Sequence, residues 1–132
     1  MNFSTTIVQS GAAAGTFYYN LVFTNTSDHD VTLEGYPLVY LIPTDGSAMG
    51  PANRNPVQSV ARVTLKPGNK AYSLLGIPDS GDFPGTPDEP VTWLLVVVPH
   101  HDPAVVKFAS PVSVTTATRG YPSISAVSAT AV

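Results

Sequence analysis

Prolines and glycines interrupt this chain so often that long helices have no room to form. The 132 residues contain 13 prolines and 10 glycines, spread along the whole sequence without a repeating period. Both residue types favour turns and end regular segments, so the pieces between them have the length of strands. The sequence therefore predicts an all-β fold.

The segment Thr16–Asn25 gives the clearest strand signal. Every second residue in it is large and apolar, namely Phe17, Tyr19, Leu21 and Phe23. A period of two is typical of a strand with one buried face. We expect an earlier strand, Phe3–Val8, to pair with it across a link of small residues at positions 11–15.

Two further segments, Val31–Ile42 and Val91–Val98, carry apolar residues in both phases. The second is rich in β-branched residues, which predicts a central strand packed on both faces. In the first, Gly35 interrupts the strand. The apolar residues in the second phase of Val31–Ile42 include Tyr36 and Tyr40. This second face of the strand must either be covered by another part of the protein or form an exposed aromatic patch.

The remaining segments complete a sandwich of about 7–9 strands at intervals of about ten residues, with a closed barrel as the alternative. Lys66–Asn69 matches a type II turn, with proline first and glycine second at its centre. We expect the strands Val57–Leu65 and Lys70–Ile77 to form a hairpin, followed by a loop over Pro78–Pro90. Two further strands are predicted at Val105–Phe108 and Val112–Thr115. The tail from Ser123 is predicted to be an edge strand or loose.

Length, charge and cysteine content limit the function. The chain has the length of one domain, 1–132. Its net charge is −3 and its six basic residues are scattered, so no basic stripe is available for nucleic acid. No apolar run approaches the ~20 residues that span a bilayer, and we find no signal peptide. With no cysteine, disulfides and sulfur-based zinc sites are excluded.

His100, His101 and Asp102 are the densest group of candidate metal ligands. Neighbouring residues on extended backbone point to opposite sides, which favours a solvated loop over an ion site. The acids Asp79, Asp82, Asp88 and Glu89 match no calcium-loop spacing. We therefore expect neither a metal nor another cofactor.

Two motifs resemble functional signatures only in part. Positions 46–50 resemble the serine-hydrolase elbow G-x-S-x-G, but the serine does not stand at its centre, which favours a turn. Asn25-Thr26-Ser27 fits the N-glycosylation pattern, yet asparagine and serine are equally typical of turns. No catalytic residue is predicted.

Large aromatic side chains with polar tips are the remaining candidates for a binding surface. Rigid rings make strong contacts at a low entropic cost, although packing inside a core is an alternative role for them. The candidates are Tyr36, Tyr40, Tyr72 and Trp93.

The order and spacing of several short segments resemble a family of unknown function, number 4232, found in exported proteins and lipoproteins of actinobacteria. The segments are GAAAG at 11–15, FTN at 23–25, VTL at 31–33, GYP at 35–37, DG at 45–46, VTL at 63–65 and PG at 67–68. The resemblance implies an immunoglobulin-like antiparallel sandwich in a secreted or cell-surface setting, with no catalytic residue. Relatives commonly have cysteine where this chain has Val31, so their disulfide cannot form here.

Together these observations predict a non-enzymatic, extracytoplasmic binding module for a protein or glycan ligand, with an aromatic patch that would also suit a homo-oligomer. One alternative is a carbohydrate-binding sandwich that uses Tyr36, Tyr40 or Trp93. Another is a metal-dependent or carboxylate hydrolase that uses the His100–Asp102 loop or the acids from Asp79 to Glu89.

Overall fold

The structure, a computed structural model, describes residues 3–13, 16–43, 50–54, 62–78, 88–115 and 122–129. All regular elements in these ranges are strands, which confirms the all-β prediction. They are β1 (Phe3–Ala13), β2 (Thr16–Asn25), β3 (Val31–Glu34), β4 (Leu38–Pro43), β5 (Asn53–Arg54), β6 (Arg62–Leu65), β7 (Lys70–Pro78), β8 (Asp88–Val97), β9 (Ala104–Thr115) and β10 (Ser123–Ile124).

The strands form three sheets arranged as a sandwich. A five-stranded sheet has the order β1-β2-β7-β10-β5, a three-stranded sheet the order β4-β8-β9, and β3 pairs with β6. The pairs are antiparallel except for β10 with β5, which is parallel. Tyr19 of β2 and Phe108 of β9 meet edge to face with ring centroids 5.3 Å apart, so the two larger sheets pack on each other.

The core comes from one phase of each strand. In β2, Tyr19, Leu21 and Phe23 are buried while the residues between them are half-buried, as the period of two predicted. In the opposing sheet, Val39 and Leu41 of β4 are fully buried with Leu94 and Val96 of β8. Each strand therefore keeps a second face directed away from the core.

Strand β1 pairs with β2 as predicted, but it is longer than predicted. It continues to Ala13, with an irregularity in the register between Gln9 and Gly11. The expectation of a link over positions 11–15 is therefore wrong for residues 11–13. Small residues still fit a ladder because the hydrogen bonds come from the backbone.

The turn at Lys66–Asn69 is confirmed, but the hairpin around it is wrong. Gly68 has φ 83° and the Asn69 amide donates to the Lys66 carbonyl at 2.9 Å. However, β6 pairs with β3, while β7 pairs with β2 and β10. Both edges of β7 are thus occupied, and the turn carries the chain from the small sheet to the large one.

Residues 123–129 of the C-terminal segment form neither an edge strand nor a loose tail. β10 lies between β7 and β5, and Ile124, Ala126 and Val127 are buried. The Val127 amide also donates to the Gly35 carbonyl at 2.9 Å. Burial of these apolar residues fixes the segment, although its composition of small residues predicted little order.

Other boundaries also differ from the sequence prediction. Val31–Ile42 divides at Gly35, φ 79°, into strands that belong to different sheets. Pro78 and positions 88–90 belong to strands rather than to the predicted loop, whose remaining residues lie outside the described ranges. The two segments predicted near the end of the sheet form the single strand β9. Positions 57–61 of the predicted strand Val57–Leu65 are not among the described residues.

Candidate binding surface

Among the described side chains of the three-stranded sheet, those directed away from the core are almost all apolar. Partners in register share a face of a sheet, and the rows here are Tyr40–Leu95–Val105 and Ile42–Trp93–Lys107. Leu38 and Val97 form a further pair on the same side. We call this surface the outer face; it comprises Leu38, Tyr40, Ile42, Trp93, Leu95, Val97, Val105 and Lys107.

The outer face is partly exposed to solvent. Val105 is 62% exposed and Trp93 43%, and the remaining apolar members are half-buried. Antiparallel strands that turn one face to water normally alternate with polar residues on that side. The outer face departs from this rule, because Lys107 is its one charged member.

The Lys107 ammonium lies over the Trp93 ring, with Nζ 5.5 Å from the ring centroid. The two residues are direct cross-strand partners, so their backbone pairing sets this contact. A cation over an indole face is held by the negative potential of the ring. The pair is therefore an electropositive group beside an exposed apolar surface.

The outer face corrects one prediction about β8. Leu94 and Val96 are buried, but Trp93 and Leu95 on the other side are not covered by a second layer to the same degree. The expectation that the strand packs fully on both faces is therefore wrong. Tyr40 of β4 is half-buried on the same face as the exposed Trp93, so the second apolar set of β4 is neither fully covered nor an exposed aromatic patch.

The other two aromatic candidates lie elsewhere. Tyr36 lies in the connection between β3 and β4 and packs against the core, with the Arg54 guanidinium carbon 5.4 Å from its ring centroid. Tyr72 belongs to the five-stranded sheet, where it is in register with Val22 and pairs through its backbone with Ser128. The four candidates therefore do not form one patch.

In the His100–Asp102 loop, the His101 side chain makes contacts within the fold. His101 Nε2 lies 2.8 Å from the Thr32 carbonyl, and its ring meets Phe3 edge to face at 5.1 Å. His100 and Asp102 are exposed, and His100 has φ 69°. In the part of the chain that the structure describes, no three histidine, aspartate or glutamate residues gather where an ion could bind. The loop therefore packs against Thr32 of β3 and Phe3 of β1.

Asn25 is a structural residue rather than an exposed glycan acceptor. Its side chain is 1% exposed, and Nδ2 donates to the carbonyls of His29 and Leu65, both at 2.8 Å. Its Oδ1 accepts from the amide and hydroxyl of Ser27 at 2.9 and 2.7 Å. The turn interpretation of this motif is confirmed.

Two ionisable groups have shifted pKa values, and neither lies on the outer face. A hydrogen bond from His29, aided by a backbone bond and the histidine charge, lowers the pKa of the exposed Asp28. Burial raises the pKa of Tyr19. Of the remaining motifs, positions 46–49, Asp79 and Asp82 lie outside the described residues, as do the side chains of Asp88 and Glu89.

Sequence reasoning missed Lys107 and Val105 as members of the surface. A signal was available, because both lie in the phase opposite to the buried residues Ala104, Val106 and Phe108. What the sequence did not contain was the register that sets Lys107 beside Trp93.

In the described ranges no helix is long and apolar enough to cross a membrane.

Comparisons with known proteins match the chain to a family model. No curated protein and no solved structure matches the chain. The sequence model of one family, described as Domain of unknown function (DUF4232), matches residues 2–132. The chain therefore belongs to the DUF4232 family, as the order of its short segments indicated.

Proposed function

We propose that this protein is a non-catalytic binding module that holds another protein against its outer face. The observation that carries the proposal is the exposed apolar surface around Trp93 and Val105. Apolar area left in water forgoes about 25 cal/mol per Å² of stabilisation that burial would supply. Exposed apolar patches of this kind are typical of contact surfaces.

A protein partner suits this surface better than a glycan. A glycan would need hydrogen-bond partners for its hydroxyls in addition to stacking on the rings, and the polar side-chain groups among the eight residues of the outer face are the Tyr40 hydroxyl, the Trp93 indole nitrogen and the Lys107 ammonium. Protein interfaces instead have an apolar core enriched in Trp and Tyr, and a polar rim. The outer face has the composition of such a core.

We also propose that the module acts outside the cytoplasm, secreted or at the cell surface. The support is the resemblance to exported proteins and lipoproteins. Fractionation of a culture that expresses the native gene tests this placement, and recovery only in the cytoplasmic fraction would contradict it.

Site-specific cross-linking tests the binding surface. A photoreactive benzoylphenylalanine at Val105 should form adducts with cell-envelope proteins of an actinobacterial culture. The same group at Thr6, which is exposed on the five-stranded sheet, is the control and should form none. Excess unlabelled protein should compete for the Val105 adduct, and unlabelled Trp93→Asp protein should not. Equal adducts at both positions, or none, would refute the proposal.

A further inference from the structure

Lys107 is the residue that defines what the outer face can accept. It is exposed, and within the described ranges the ion pairs are His29 with Asp28 and Arg62 with Glu34, so no carboxylate there pairs with it. The Lys107 ammonium lies over the Trp93 ring, with Nζ 5.5 Å from the ring centroid. Within the described ranges Lys107 therefore carries a charge without a carboxylate partner, on the edge strand β9 beside the apolar members of the outer face.

A purely apolar partner would bind this surface poorly. Covering Lys107 removes water from the ammonium group, and a buried charge without a partner is strongly unfavourable. The indole ring compensates part of the charge but accepts none of the three N–H hydrogen bonds well. A carboxylate provides both the opposite charge and the acceptors, in a short charge-assisted hydrogen bond.

A second copy of the same surface does not provide that carboxylate. None of the eight residues of the outer face is acidic. Two outer faces in contact would bury two ammonium groups and no anion, which like-charge repulsion and desolvation both oppose. The complementary occupant is consequently a surface that carries an acidic residue, which the eight residues of a second outer face do not provide.

The shape of the surface also argues against a small amphiphile. A fatty acid would offer a carboxylate and an apolar chain, but small ligands bind in concave sites that enclose most of their surface. The outer face is one side of a three-stranded sheet, and its members Trp93 and Val105 are 43% and 62% exposed rather than enclosed. An extended or flat protein surface matches it.

We propose that the outer face binds a protein segment whose apolar side chains cover Trp93 and Val105 and whose aspartate or glutamate contacts Lys107. This inference rests on the proposed function and names the chemistry of its partner. It predicts that the charge at position 107 sets the charge of the segments that bind.

Selection from a random peptide library displayed on phage tests the inference. Wild-type protein should enrich apolar peptides that contain an acidic residue at a fixed position. Lys107→Glu should enrich peptides with lysine or arginine at that position, and Lys107→Met should show no charge preference. Lys70→Glu is the matched control, because Lys70 is exposed on the other sheet and its reversal should leave the preference unchanged. Circular dichroism verifies that each variant is folded.

Affinity gives the second readout. Trp93 is the only tryptophan, so its fluorescence reports binding at the outer face directly. For a selected acidic peptide, Lys107→Met should weaken Kd about tenfold, and glutamine in place of the peptide's acid should do the same.

The possible outcomes distinguish a failure of this inference from a failure of the proposed binding function. Enriched peptides that need Trp93 but have no charge preference would overturn the inference and leave the binding module intact. No Trp93-dependent enrichment would overturn both. Dimerisation in sedimentation that Trp93→Asp abolishes, or glycan-array binding lost on the same substitution, would also overturn the inference by identifying another occupant.

Discussion

Replacing Asn25 with alanine should cost more stability than an ordinary surface substitution. The change removes the two hydrogen bonds donated by Nδ2 and the two accepted by Oδ1. The bond to the Leu65 carbonyl is buried, and leaving that acceptor unpaired costs about 1–3 kcal/mol. The other three groups are part-buried and reach water, so each loses roughly 0.5 kcal/mol. We expect a total near 3 kcal/mol, a large fraction of the ~5–15 kcal/mol that stabilises a typical protein.

Urea unfolding followed by Trp93 fluorescence and circular dichroism measures this loss. With a typical slope of about 2 kcal/mol per molar, the midpoint should fall by roughly 1.5 M while the slope stays constant. Thr26→Ala is the control, because Thr26 is exposed in the same turn and should change stability by less than about 0.5 kcal/mol.

Asn25→Asp provides an independent check with a defined sign. The variant keeps the acceptor toward Ser27 but turns a carboxylate oxygen toward the carbonyls of His29 and Leu65, which raises the pKa of the new carboxyl in the folded state above its unfolded value of about 3.9. With a raised folded pKa, the stability contribution is fully present below the unfolded pKa of about 3.9 and is lost as the pH rises through the folded pKa. If Asn25→Ala lowers the free energy of unfolding by less than about 1 kcal/mol, or by no more than Thr26→Ala does, the reasoning is refuted.

Three further predictions concern other contacts. Because burial raises the pKa of Tyr19, tyrosine ionisation in an ultraviolet alkaline titration should include a step above about pH 10 that Tyr19→Phe removes, and stability should decline as the pH rises above the ordinary value of about 10; a late step that persists in Tyr19→Phe would contradict the assignment. Gly50→Ala should destabilise more than Gly68→Ala in urea, since both have positive φ but only the first would place a methyl group 2.8 Å from a backbone oxygen of β4; equal losses would count against the clash. His101→Phe should lose about 1 kcal/mol with the Thr32 bond yet keep the ring contact with Phe3, and His101→Ala should lose more; identical melting temperatures for the two variants would show that the ring contact contributes nothing.

Local features of the fold were predictable because they depend on neighbouring residues. Alternation located β2 to the residue, and Pro67-Gly68 located a turn that needs φ > 0 at its second central position. Strand pairing was not predictable in the same way. The turn after β6 is compatible with a hairpin, but β7 is taken by β2 and β10, which come from distant parts of the chain. Such a competition depends on the packing of the whole sandwich.

Only part of the candidate surface was predictable, because its aromatic residues are visible in the sequence and the strand register that brings Lys107 to them is not. Tyr40 and Trp93 stood out as large aromatic residues in strands with two apolar phases. Tyr72 has the same chemistry but lies in the other large sheet, and Lys107 has no aromatic character to mark it. Only the cross-strand register sets Lys107 over Trp93, and the sequence does not contain that register.

The position of β10 has a consequence for how the protein reaches its native state. This strand fills a gap between β7 and β5, and the residues that follow it enter the core, so the five-stranded sheet stays incomplete until positions 122–129 have been synthesised. Until then one side of β7 offers unpaired backbone groups, which are a template for pairing with other chains. A nascent or truncated chain is thus exposed to aggregation at its centre rather than at its rim, and a chaperone that shields β7 would protect it.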